Sequence, residues 1–118
     1  MGSRWDTVVV DAIDPARLAR WWAEVLDYRL LSEGIDEAVI GPDAAARPQL
    51  LFNRVADAKD GKNRLHLDLG PDDQEAEVER LVDMGARKVD IGQGDDLDWV
   101  VLADPEGNEF CVLRGRDR

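Results

Sequence analysis

The feature that most constrains this chain is an internal repetition. With the second half laid on the first at an offset of 58 or 59, a strand pattern, a capping aspartate, a helix pattern and a helix-end dipeptide coincide. Asp14 falls on Asp73, and Asp27-Tyr28-Arg29 falls on Gly85-Ala86-Arg87. A period of this size marks a duplicated supersecondary unit, and two copies make a paired module, not a solenoid.

Each copy reads as β-α-β-β-β. Residues 7 to 11, TVVVD, carry the β-branched side chains of a strand. Asp14 then offers a cap and Pro15 a pre-set first helical residue. Leu18, Trp21, Trp22, Val25 and Leu26 follow at helical spacing, which puts them on one face. This helix is expected to stop near Asp27-Tyr28. YRLLSEG, EAVIG and QLLFNRV supply three strand candidates, separated by Gly34, Gly41-Pro42 and an alanine-rich loop with Pro48.

The second copy opens on a strand from Leu65 to Leu69 and continues into a helix with Val78, Leu81 and Val82 on its buried side. Asp72 with Glu75 three residues on matches a capping box, and Gly85 suits the left-handed position that ends a helix. ARKVDIG, DWVVLA and NEFCVL are the remaining strand candidates; Asp104-Pro105-Glu106-Gly107, between the last two, has the preferences of a type I turn. A ferredoxin-like β-α-β-β-α-β domain alternates in a similar way but needs only four strands, and eight candidates exceed it. The expectation is one α+β domain with modules at about residues 5–56 and 63–115, joined by the charged loop DAKDGK.

Composition narrows the class of partner. At 118 residues, with 44% apolar and 35% charged side chains, the chain can bury a core without disulfides or a structural metal. A net charge of -11 opposes binding to nucleic acid or anionic lipid, since both present phosphates. A small organic molecule or a protein is the expected partner. The single cysteine, Cys111, has no intrachain partner and fits a reducing compartment. MGSRWD lacks the apolar stretch of a signal peptide, and no run approaches the roughly 20 apolar residues of a membrane span, so a cytoplasmic location is expected.

Three segments together carry a family resemblance. DPARLARWWAEVLDY after the first strand, KNRLHLDL in the middle and WVVLADPEGNEFCVL at the end resemble the glyoxalase-like branch of the vicinal oxygen chelate superfamily, over Thr7 to Leu113. The resemblance implies two tandem β-α-β-β-β modules forming a cup-shaped, partly open mixed sheet with helices outside, and pairing as a homodimer. Similar proteins include glyoxalases, fosfomycin-modifying thiol transferases, ring-cleaving dioxygenases, epimerases and metal-free drug-binding proteins of the bleomycin resistance type. Such a range leaves function to be argued from the site.

The resemblance further implies three metal-ligand positions, which map onto Thr7, His66 and Cys111. Only His66 is a familiar ligand there. Glu109 lies two residues before Cys111 on the same strand face, some 6 to 7 Å away. A thiolate and an imidazole can bind zinc, yet two donors fall short of the three of an open catalytic site. The expectation is therefore no metal, with Cys111 a small buried residue among Phe110, Val112 and Leu113.

His66, the sole histidine, alternates with Leu65, Leu67 and Leu69, which puts it on one face with Arg64 and Asp68. That face is either solvated or the wall of a pocket. In the first strand Thr7, Val9 and Asp11 are expected to face the same interior, with Val8 and Val10 toward the helices; Trp99 and Val101 are expected to join it. Two functions follow. In the first, a metal-free module binds or sequesters a small molecule, with Trp99, Phe52 and Val9 supplying contact and His66, Asp11 and Asp68 polarity. In the second, a lyase, isomerase or transferase related to glyoxalase works through His66, with an unusual metal or with Asp68 or Asp11 orienting the ring as a base. Trp21 and Trp22 are expected to be core packing.

Overall fold

The computed structural model of the chain describes residues 2–89 and 98–114. It contains two compact units, Met1–Ala58 and Lys59–Arg118. The first is built from β1 (Thr7–Ala12), α1 (Pro15–Leu26), β2 (Arg29–Glu33), β3 (Glu37–Gly41) and β4 (Gln49–Arg54). Its sheet runs β1-β4-β3-β2, with β1 parallel to β4 and the other pairs antiparallel.

The local signals explain α1. The Arg17 N–H donates to the Asp14 carboxylate at 3.2 Å, and Pro15 supplies the first helical residue. Asp27 ends the helix in the left-handed region at φ 56°, and the Tyr28 N–H donates back to the Ala23 carbonyl at 2.8 Å. Aspartate is one of the few side chains that tolerate that region. Leu18, Ala19, Trp22 and Val25 are buried, and α1 packs on β3 and β4. Trp21 is half-buried, its ring edge-on to Trp22 at 5.1 Å.

Strand register decides which side chains lie under that helix. Val8 stands beside Leu50 and Val10 beside Phe52, while Ile40 pairs with Leu50 and Ala38 with Phe52. These six share the helix-facing side, whereas Thr7, Val9 and Asp11 alternate to the other. Phe52, expected among ligand contacts, is instead a core residue with 1% exposure. Burying Leu18, Ile40 or Phe52 contributes about 1.5–3 kcal/mol each. The exposed Arg20–Glu33 ion pair contributes at most about 1 kcal/mol. Apolar burial holds this unit together.

The second unit repeats the plan with β5 (Asp68–Leu69), α2 (Gln74–Asp83), β6 (Arg87–Lys88), β7 (Trp99–Ala103) and β8 (Glu109–Leu113). Its sheet runs β5-β8-β7-β6, again with the first strand parallel to the last. Val78, Leu81, Leu102, Phe110 and Val112 form its apolar core, with α2 against β8. No described helix is long and apolar enough to cross a membrane.

Two local expectations are corrected here. The cap of α2 is Asp73, whose carboxylate accepts from the Ala76 N–H at 3.1 Å; Glu75 then stands one position too early for the capping box expected with Asp72. The opening strand is also shorter than its alternation implied. Leu65 is 86% exposed and ladder pairing begins only at Asp68. Of the ARKVDIG candidate, Arg87 and Lys88 form β6, and residues 90–92 lie outside the described residues.

Between β7 and β8 the type I turn forms as expected, with the Gly107 N–H donating to the Asp104 carbonyl at 2.9 Å. Gly107 sits at φ 87°, which favours glycine there. Asp104 is fully buried, and its Oδ1 accepts from the N–H groups of Glu106 and Asn108 at 2.9 Å each. The Asn108 amide adds a third donor, 3.0 Å from Oδ2. Removing the carboxylate would orphan these donors at about 1–3 kcal/mol apiece. Asp104→Ala is expected to lower the unfolding free energy by about 2–4 kcal/mol, and Asp104→Asn by less, as read by urea titration. Equal losses would refute this account, because Asn keeps the volume and one acceptor oxygen for these N–H groups while Ala keeps neither.

Candidate functional site

The pairing of β5 with β8 places Asp68 directly beside Cys111, and β8 with β7 places Cys111 beside Val101 and Leu113 beside Trp99. These residues share the sheet face opposite α2. A hollow of about 470 Å³ opens over that face. Arg64, His66, Asp68, Trp99, Val101, Glu109 and Cys111, all candidates from sequence, line it. Lys62, Asn63, Phe110 and Leu113 line it as well, beyond the residues expected from sequence. Leu113 was legible by alternation from Cys111, but Lys62 and Asn63 precede any strand and carry no periodic signal.

Hydrogen bonds hold the segment before β5 against β8. The Cys111 N–H donates to the Leu67 carbonyl at 2.9 Å, and the Asn63 side-chain amide donates to the Glu109 carbonyl at 2.9 Å. Lys62 Nζ lies 3.2 Å from Glu109 Oε1, an ion pair whose lysine is largely exposed. Asn63 Oδ1 is buried without a hydrogen-bond partner among the described residues, an unfavourable arrangement by about 1–3 kcal/mol. The anchoring is therefore achieved at some local expense.

His66 Nε2 stands 3.1 Å from Asp68 Oδ1. That distance brings the imidazole and the carboxylate into direct contact on the wall of the hollow. Both side chains are about half exposed, at 52% and 49%. Cys111 is a free thiol and buried. Burial pushes its pKa up, and the Asp68 charge and hydrogen bond push the same way. The sulfur is thus held as a thiol, which disfavours it as an unaided nucleophile.

Thr7, Val9 and Asp11 lie together on one face of β1, in the first unit. The Thr7 hydroxyl donates to Asp6 Oδ2 at 2.6 Å and thereby holds the Asp6 carboxyl below its usual range. Val9 is 58% exposed.

The glyoxalase-like domain family matches residues 7–113. The chain belongs to that family. Solved glyoxalase-like structures agree with it in fold. A glyoxalase/bleomycin resistance protein/dioxygenase family enzyme from Burkholderia phytofirmans PsJN is 16% identical, with a TM-score of 0.66 over 92% of this chain and 96% of its own. The trypanothione-dependent glyoxalase I of Leishmania major is 14% identical, with a TM-score of 0.67 over 96% of this chain and 87% of its own. A glyoxalase-related enzyme from Fulvimarina pelagi is 13% identical, with a TM-score of 0.70 over 95% of this chain and 88% of its own. No curated protein matches the sequence.

Whether this glyoxalase-like domain has side chains suited to a metal turns on counting donors. One donor atom each from His66, Asp68 and Cys111 lies within 4.8 Å of the others. In a tetrahedral centre with bonds of about 2.0–2.3 Å, such atoms stand roughly 3.3–3.5 Å apart. The imidazole and carboxylate are already at 3.1 Å, and their exposure leaves room to adjust toward the sulfur. The count of two from sequence becomes three. Asp68 is the addition, and it was placed on the correct face without being counted as a ligand.

The raised thiol pKa has a measurable consequence. The folded chain keeps the Cys111 proton where the unfolded chain releases it, near 9.0. Stability from this group is present below that value and lost as pH rises through the folded one. For metal-free protein, the pH midpoint of Cys111 alkylation is expected to lie above that of a free cysteine, and Asp68→Asn is expected to lower it. A midpoint indifferent to Asp68→Asn would refute the electrostatic part of this account.

Proposed function

We propose that the hollow of the second module binds a small organic molecule, with Trp99, Val101 and Leu113 against its apolar body and His66, Asp68 and Glu109 setting its orientation. The observation that supports this is the hollow itself, whose roughly 470 Å³ falls within the usual range for ligand sites. Its lining matches the usual composition of such sites, an apolar wall with a few convergent polar groups. Trp99, 40% exposed, is the largest apolar side chain offered to a ligand there. The reading extends to a cytoplasmic protein that works as a homodimer, with neither nucleic acid nor membrane as partner.

The 3.1 Å pair of His66 and Asp68 supports a second reading, in which the chain is an enzyme of the lyase, isomerase or transferase type. In it Asp68 orients the ring and stabilises its charged form while His66 removes a proton from the bound molecule. Binding is the preferred reading because it requires only the hollow.

A thermal-shift screen of small organic molecules, run with and without divalent metals, tests the proposal. A ligand at about 100 times its Kd stabilises by about 2.7 kcal/mol, or several degrees for a chain of this size. Hits are expected to lose most of that shift in Trp99→Ala and part of it in His66→Ala. Hits that survive both substitutions unchanged would place binding elsewhere and sink the reading. Turnover of a hit by the wild type but not by His66→Ala would select the enzyme.

A further inference from the structure

We infer that the hollow of the second module selects molecules that join an apolar body to one carboxylate, and that Arg64 is the residue that holds the carboxylate. This rests on the small-molecule reading of the hollow and adds to it the class of the ligand and the side chain that decides it.

Three observations carry the inference. First, Arg64 stands on the wall of the hollow with its guanidinium uncommitted. Arg20, Arg47, Arg54, Arg80 and Arg114 each pair with a carboxylate, whereas Arg64 has neither a hydrogen bond nor an ion pair among the described residues. Arg17 and Arg29 form no ion pair there either, but neither lines this hollow. An arginine that meets only water is ordinary on an outer surface. On a concave wall it is a fixed positive charge and a fork of donors with no protein acceptor.

Second, the other charged groups of the wall are engaged with one another. Lys62 pairs with Glu109 at 3.2 Å, and His66 meets Asp68 at 3.1 Å. With His66 neutral, Lys62, Arg64, Asp68 and Glu109 sum to zero, in a chain whose 26 acidic and 15 basic side chains give -11. An incoming anion therefore finds a free cation here, while an incoming cation finds both carboxylates already in contact. A second carboxylate on the ligand would stand against Asp68 or Glu109, which limits the ligand to one.

Third, the backbone that carries Arg64 is fixed on both sides. The Asn63 side-chain amide donates to the Glu109 carbonyl at 2.9 Å, and the Leu67 carbonyl accepts from the Cys111 N–H at 2.9 Å. The root of the side chain is thereby held to β8 while its head stays free, so binding has only the side chain to order. A guanidinium meets a carboxylate through two parallel N–H bonds, a geometry that a neutral amide cannot complete. Trp99, on the same wall and 40% exposed, supplies contact for the apolar body.

The test uses the full chain and matched probes: benzoate, cinnamate and hydrocinnamate, each against its own primary amide. Calorimetric titration is expected to show the acids binding about tenfold or more tighter than the amides, with the advantage shrinking as salt is raised. Arg64→Gln should bring acid and amide to equal affinity, and Arg64→Lys should keep part of the difference. Trp99→Ala should weaken both members of a pair. Circular dichroism verifies that every variant is folded. Amides that bind the wild type as well as the acids do, or an acid preference that survives Arg64→Gln, would overturn the inference. Hits confined to neutral or cationic molecules, and dependent on Trp99, refute the carboxylate preference and leave the small-molecule reading standing. Absence of any hit, charged or neutral, refutes both.

Discussion

The parallel pairing of the first and last strand within each module is the constraint on which the rest of this structure depends. In a strand, neighbouring side chains point to opposite faces, so a slip of one residue would exchange the two faces completely. In the first module the pairing runs over all six residues of β1. In the second it consists of two ladder pairs, Asp68 with Cys111 and Leu69 with Val112. That short contact puts Leu69 and Val112 toward α2 and turns Asp68 and Cys111 toward the hollow. A slip would bury a carboxylate among Leu81, Phe110 and Leu102, at a cost of several kcal/mol by any measure of burying charge.

Such a short ladder is secured by what lies on either side of it. Downstream, the Asp104 turn delivers β8 to β7 in one register by gathering backbone and side-chain donors onto a buried carboxylate. Upstream, Asn63 and Lys62 tie the approach segment to Glu109. The buried Asp104 contacts contribute to stability as well as to alignment, whereas the Lys62–Glu109 pair, with its exposed lysine, adds little. Together they select one alignment among several that the core alone would accept.

Membership of the glyoxalase-like domain family describes the frame, and the frame hosts unlike chemistries. What distinguishes this chain is the population of one sheet face. The position that the resemblance gave to a ligand in β1 is a threonine whose hydroxyl is committed to Asp6. The second module, by contrast, gathers an imidazole, a carboxylate and a thiol beside an exposed tryptophan. Burial, and then the Asp68 charge beside it, keep the Cys111 sulfur in its thiol form.

The amino-acid sequence by itself determined the duplicated plan, the helix starts at Asp14 and Pro15, the glycine and aspartate that stop the helices, and the turn at Asp104, because each is a local preference that needs no distant partner. It also put His66 and Asp68 on one face, since alternation is local too. Tertiary structure alone decided the phase of QLLFNRV: with Leu50, Leu51 and Phe52 all apolar, either face could be the buried one, and only the pairing of Phe52 with Val10 settled it. Structure likewise decided where the opening strand begins. Continued backward, its register would set Leu65 opposite Asn108, whose N–H and carbonyl are already used by Asp104, so the ladder has nothing to offer there. Strand partners come from far along the chain, and no local pattern states which backbone groups will still be free when they meet.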